Sequence, residues 1–141
     1  MSRIYWDSML FIYWLEDNPV FANRVAAVHA RMQERNDRIF TSALTLGEVL
    51  AGAYRKGAGS SADEVREVLL SLVSEVVPFN AETAVYYGRI RGTHGVTSHD
   101  AIHLACAAQA GIDLFLTNDN NLVGKVIPGI HFIAGLNSDI I

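Results

Sequence analysis

The sequence predicts an α/β fold in three α/β/α layers, with a central parallel sheet of about five strands and helices on both faces. Three observations carry that expectation. Short β-type runs alternate with longer stretches of helical periodicity, the pattern that builds parallel crossovers. Half of the 141 residues are hydrophobic and only 18% are charged, enough to bury a sheet on both sides. No repeat or low-complexity segment interrupts the chain, and its length suits a single domain over 1–141.

Arg3–Trp6 reads as a short strand ending at Asp7, and the apolar stretch 9–15 as a short buried helix. Asn18-Pro19 then offers an N-cap and a proline at the first helical position, where its missing N–H costs nothing. The helix it opens runs to about residue 35, with Val25, Val28 and Met32 on one face. Arg38–Ser42 is the second strand, followed by a helix over about 44–54 and a loop at 57–60. Ser61 and Glu64 have the spacing of a capping box, and the helix they start turns Val65, Val68, Leu69 and Leu72 to the core. A third strand covers 76–79, where Pro78 predicts an edge position or a strand end. Asn80 caps a helix that ends between Gly92 and Gly95. The next helix starts at Ser98 or His99 and stops at Gly111. Residues 113–117 form a buried-type strand and 130–133 the last one.

No run approaches the roughly 20 apolar residues of a membrane span, and Asp7 arrives too early for a signal peptide. A single cysteine, Cys106, forbids an internal disulfide and fits a reducing, cytoplasmic setting. The net charge of −4 lacks the basic excess by which nucleic-acid binders meet phosphate.

Parallel sheets bind ligands beyond the carboxyl ends of their strands, which directs attention to Asp7, Ser42 and Thr117-Asn118-Asp119. Asp7 and Asp119 both follow strand ends. Asp100 opens a helix that is apolar nearly all round over 101–108 and so is expected to be buried. A carboxylate there gains from the macrodipole yet still needs a partner, and on local context a metal ion and a plain helix-terminal acid stand level. Glu48 is different. Periodicity sends Leu46, Val49, Leu50 and Ala53 to the core and Glu48 to the solvent side. Gly47, Ala51 and Gly52 beside it allow close approach, and Arg55, two turns on, places a guanidinium on the same side for phosphate. Crowded carboxylates repel, and hard cations such as Mg²⁺ or Mn²⁺ relieve that repulsion. Such ions also activate water, stabilise an in-line displacement at phosphorus, and invert the sign of an acidic site.

Asp7 after the first strand, Glu48 on a helix, Asp-Ala-Ile-His-Leu-Ala at 100–105 and Leu-Thr-Asn-Asp at 116–119 together resemble the PIN domain over essentially the whole chain. The pattern is most similar to the toxin nucleases of VapBC-type toxin–antitoxin systems. The resemblance implies a parallel sheet in the order 3-2-1-4-5, Mg²⁺-dependent endoribonuclease activity, homodimers and inhibition by an antitoxin protein. It makes Asp7, Glu48, Asp100 and Asp119 the acidic quartet, with Asp7, Asp100 and Asp119 on Mg²⁺ or Mn²⁺ and Glu48 ligating or orienting the attacking water. It assigns Thr117 as the hydroxyl that orders the site. This chain departs from the pattern at two supporting positions. Ser8-Met9 replaces a more usual Thr/Ser-Asn/Ser pair, and Asn121 stands where relatives often carry a further acid. The RNA is expected to be single-stranded or looped, where base edges are accessible.

Rival readings exist. His99-Asp100-Ala101-Ile102-His103 resembles the zinc-hydrolase pattern H-E-x-x-H, with aspartate one methylene short as general base. That reading leaves the strand-end acids unexplained, and it is set below one in which His103 packs in or beside the site and His99 lies in a loop. A receiver domain would need an aspartate where Pro78-Phe79 stands. A catalytically silent PIN-like module that only binds RNA or protein keeps the fold but leaves four retained acids without a task. Tyr86-Tyr87 near Arg89 and Arg91 is read as a dimer face, and Cys106 as an inert core thiol.

Overall fold

A computed structural model describes residues 1–56 and 61–141; the loop expected at 57–60 lies outside these. Five strands, β1 (Arg3–Trp6), β2 (Arg38–Ser42), β3 (Glu75–Val77), β4 (Ile112–Thr117) and β5 (Ile130–Gly135), pair in parallel in the order β3-β2-β1-β4-β5. The implied order 3-2-1-4-5 is therefore the observed one. The chain builds outward from β1 to β3 and then crosses to β4 on the other side. Connections leaving β1 and β4 diverge, and a crevice opens at their carboxyl ends.

The period of two divides the sheet residues between two cores. Ile4, Trp6, Ile39, Leu114 and Leu116 face α1 (Ser8–Leu15), α2 (Ala22–Arg35), α3 (Ala43–Arg55) and α4 (Ala62–Leu72). Tyr5, Phe40 and Phe115 face α5 (Ala81–His94) and α6 (Ser98–Ala110). Tyr5, Phe40, Phe115 and Leu104 are fully buried, each such apolar side chain stabilising the fold by about 1.5–3 kcal/mol. Helix α6 is buried at Ala101 and from His103 through Ala108, as its composition predicts. Cys106 is among these, and burial pushes its thiol up to about 11, in keeping with an inert core residue. Among the described residues no helix is long and apolar enough to cross a membrane.

Several local expectations are corrected. Asn18 caps a turn rather than the helix: its Oδ1 accepts the N–H groups of Val20 and Phe21, and α2 begins only at Ala22. Ser61 sits in helical backbone with no side-chain cap hydrogen bond, so the box at Ser61 and Glu64 is not built. The reciprocal box forms instead at Asn80 and Thr83, opening α5. Val68 is exposed because α4 packs chiefly on α3, which leaves room for a narrow buried stripe centred on Leu69. Helix α1 is buried on one side only, with Met9 and Leu15 exposed.

Two left-handed glycines fix the far end of α6. Gly111 takes φ +66 as its C-cap, the conformation glycine adopts without a Cβ penalty. Gly129 takes φ +100, and a Cβ there would stand 2.7 Å from the Ala108 carbonyl oxygen. The segment before β5 thus rests directly on the last turn of α6.

Candidate active site

Strand β1 passes into the site by donating the Asp7 N–H to the Leu116 carbonyl, 3.3 Å away, which sets Asp7 beside the end of β4. Asp7 then caps α1, its Oδ1 accepting the Met9 N–H at 3.1 Å. Its Oδ2 accepts the Thr117 hydroxyl at 2.5 Å, and the same hydroxyl oxygen accepts the Asp119 N–H at 3.0 Å. One buried hydroxyl therefore joins both strand-end aspartates. Asp119 Oδ1 in turn accepts the Asn121 N–H at 2.9 Å, an Asx turn to which Asn121 contributes backbone. Burial pushes the Asp7 carboxyl above its ordinary value. The Thr117 hydroxyl, the charge of His103 and the Met9 amide pull it back without cancelling the shift. A buried carboxylate in this condition is short of positive charge.

Asp100 occupies the first turn of α6, its N–H bonded to the Oγ1 of the N-cap Thr97 at 3.1 Å. His99 belongs to the same turn, so its placement in a loop is corrected. One turn on, His103 is almost completely buried. Its Nδ1 lies 2.7 Å from Tyr5 Oη and its Nε2 lies 3.0 Å from Glu48 Oε1. His99 Nε2 reaches Glu48 Oε2 at 2.9 Å. Glu48 thus bridges two imidazoles, with its side chain only 22% exposed.

That overturns the solvent-facing position expected for Glu48. Helix α3 is gripped between α1 and α4 rather than laid flat on the sheet. Its buried residues are Thr45 and Val49, with Leu46 and Leu50 only half-buried. The inward stripe is therefore rotated, and Glu48, one turn beyond Thr45, looks over the strand ends toward α6. Burial pushes its carboxyl up, but the hydrogen bond and charge of His103, then His99 and the Ser8 hydroxyl, outweigh this and hold it below its ordinary value.

Asp7, Ser8, Glu48, Asp100 and Asp119 share one open cleft of about 390 Å³, completed by Met9, Tyr13, His99, His103, Asn118 and Asn120. Thr117 lies behind it. Asn121 stands in an adjoining hollow with Asp100, Asp119 and Lys125. Arg55 is not brought to the cleft; it lines a separate groove with Ile12, Leu15 and Val65. Among the described lining residues there is no lysine or arginine. The oxygen donors of Asp7, Asp100 and Asp119 suit a hard divalent ion, which binds through one or two carboxylates and keeps much of its water. The tightest grouping is another one: Glu48, His99 and His103 each offer a ligand atom within 4.8 Å of the others. Among the described residues no three of the acids approach so closely.

Residue-level reading missed Tyr5, Tyr13 and Asn120 as parts of the site. The i, i+4 spacing of His99 and His103 was a visible signal, but their partner Glu48 lies on a different helix.

The model of the PIN domain matches residues 4–125, a span that holds all four acids. No curated protein sequence matches the chain significantly. Among solved structures, a chain of VapBC2 from Rickettsia felis bound to a promoter DNA fragment is similar at TM-score 0.75 and 17% identity, covering 94% of this chain and 98% of that one. A chain of DNA-bound VapBC from Salmonella typhimurium is similar at 0.74 and 21%, covering 96% and 99%. A chain of VapBC-5 from Mycobacterium tuberculosis, of the VapBC family of toxin–antitoxin systems, is similar at 0.58 and 19%, covering 96% and 99%. At these identities the likeness is one of fold.

Proposed function

The chain belongs to the PIN-domain family, and from that premise we propose that it is a metal-dependent endoribonuclease, the toxin of a toxin–antitoxin pair. The observation that carries the reading is the cleft at the carboxyl ends of β1 and β4. Asp7, Glu48, Asp100 and Asp119 all open onto it, and its described walls hold no lysine or arginine to meet a phosphate. Asp7, Asp100 and Asp119 would hold Mg²⁺ or Mn²⁺. When bound, such an ion supplies charge to the phosphate and makes water a stronger nucleophile at neutral pH.

The chain's own residues do the rest. Asp7 has most to gain from a cation, because burial resists its ionisation. Thr117 keeps Asp7 and Asp119 in fixed relation through its hydroxyl. Glu48, held ionised by the two histidines, accepts a hydrogen bond from the attacking water and orients it toward phosphorus. Ser8 steadies Glu48 from the other side.

An antitoxin partner is supported by the neighbouring folds, which come from VapBC complexes. A homodimer is supported by the exposed Val85 and Phe79 beside Tyr86 and Tyr87. A cytoplasmic location follows from the same reading.

Cleavage of a mixed RNA pool tests the function. Cuts are expected in single-stranded segments, lost in EDTA and restored by Mg²⁺ or Mn²⁺. Asp100→Asn is expected to remove them while circular dichroism stays unchanged. A folded protein that cuts nothing with any divalent ion would leave the silent binding module in its place.

A further inference from the structure

Glu48, His99 and His103 form a donor set unlike that of the three aspartates. We propose that they make a separate site for a borderline transition cation of the zinc class, and that filling it withdraws Glu48 from the cleft and silences the nuclease. The second half rests on the nuclease reading; the first half does not.

Two imidazole nitrogens and one carboxylate select zinc-class ions over magnesium, which prefers an all-oxygen shell. The spacing suits them. His99 and His103 stand one turn apart on α6, with ring centres 5.3 Å apart, and Glu48 enters from α3. The nitrogen-to-oxygen distances of 2.9 and 3.0 Å are hydrogen-bond lengths. A tetrahedral ion with bonds of about 2.0–2.1 Å holds neighbouring ligand atoms about 3.3 Å apart, so the three ligand atoms, all within 4.8 Å of one another, would close toward that spacing to seat it.

The surroundings are those of a ligating histidine as well. Such a residue has its other ring nitrogen fixed by an outer partner, which sets the tautomer and aims the ligating atom. His103 has that partner in the fully buried Tyr5, 2.7 Å from Nδ1. With a cation bound, Nδ1–H would be donated to the phenol oxygen and the Nε2 lone pair would serve the ion; in the cation-free protein Nε2 hydrogen-bonds Glu48 instead. His99 is 51% exposed and lines the cleft, which provides an entry path and leaves a fourth position to water or phosphate.

The site also implies competition. In the cation-free protein Glu48 shares one oxygen with each histidine. As a ligand to zinc it no longer serves the water at the aspartates.

The test uses the full chain, stripped of metal and titrated with Zn²⁺ by calorimetry, with and without excess Mg²⁺. Co²⁺ binding followed by visible absorption reports the coordination. One equivalent of Zn²⁺ is expected to bind and to resist Mg²⁺. His99→Ala, at a half-exposed position that tolerates truncation, is expected to weaken binding by at least about 100-fold. Tyr5→Phe is expected to weaken it by about 10-fold. His131→Ala, on the exposed β5 surface, serves as control and is expected to bind as the wild type. No binding, equal binding by His99→Ala, or displacement by Mg²⁺ would overturn the site. In a parallel assay at fixed Mg²⁺, each protein's RNA cleavage is compared with its own zinc-free rate. Inhibition is expected at the concentration that fills the site, moved upward in His99→Ala by the factor seen in binding. Zinc bound without loss of cleavage overturns the regulatory half. A protein that cuts no RNA overturns the nuclease reading while the titration still decides the site.

Discussion

At the ends of β1 and β4, Asp7 and Asp119 are joined through one Thr117 hydroxyl, so the side-chain ligand atoms of these acids are all oxygens. Across the cleft, Glu48 is held by His99 and His103, so nitrogen and oxygen alternate within 4.8 Å. The two halves differ in electrostatic state. Burial raises Asp7 and leaves it wanting a cation, whereas the histidines lower Glu48 and satisfy it from within the chain. The lesson is that four acids in one cleft are not four equivalent ligands. In the strand-end half the acids meet through a hydroxyl; in the helix half two imidazoles already face the carboxylate.

The largest expected effect comes from Asp7→Asn, which should lower single-turnover RNA cleavage by about 10³-fold, against about 10²-fold for Glu48→Gln. A greater loss in Glu48→Gln would reverse the ranking of the halves.

The same pair of variants separates the halves by stability in EDTA. The folded-state carboxyl of Asp7 is raised, so its contribution is fully present below the ordinary aspartate value of 3.8 and is lost as pH rises through the folded value. Asp7→Asn should therefore melt above the wild type at pH 7. That advantage should fade as pH falls toward 3.8. Glu48 is lowered, so its contribution is present above the ordinary value of 4.5 and is lost as pH falls through the folded value. Glu48→Gln should accordingly gain no stability at pH 7. Melting curves across pH with chelator present check both signs.

Thr117→Val removes the hydroxyl between the strand-end acids and leaves Asp7 without its closest donor. A loss of about 1–3 kcal/mol in urea unfolding is expected, with Thr117→Ser recovering most of it. Smallest of all, Arg55→Ala should change cleavage by less than about 2-fold, since Arg55 lines another groove. A tenfold loss would mean that the RNA path extends from the cleft into that groove.

The same contrast explains what was legible in the sequence. Asp7, Thr117 and Asp119 could be placed because short β-runs fix where strands end, and the crevice rule says what strand ends are for. Glu48 could not, because helical periodicity assumes a helix lying flat on its sheet. Helix α3 is turned by α1 and α4, and no pattern internal to residues 43–55 reports that rotation. Val68 was misplaced for a related reason, since α4 packs on a helix and buries a narrower stripe. Asn18 and Ser61 show that a good capping residue is only an offer: the backbone takes it at Asn80 and declines it at Ser61. The sheet order came from the family resemblance, as strand pairing leaves no trace in periodicity.

The contact between Gly129 and Ala108 has a mechanical consequence. Helix α6 is a stiff rod of 13 residues, about 20 Å long. One end carries Asp100 and His103 into the cleft, and the other bears on a backbone with no Cβ to spare. Any side chain at 129 would press on Ala108, and a stiff helix that has to shift moves both its ends. The helix that carries Asp100 and His103 thus keeps its place only while position 129 has no methyl group.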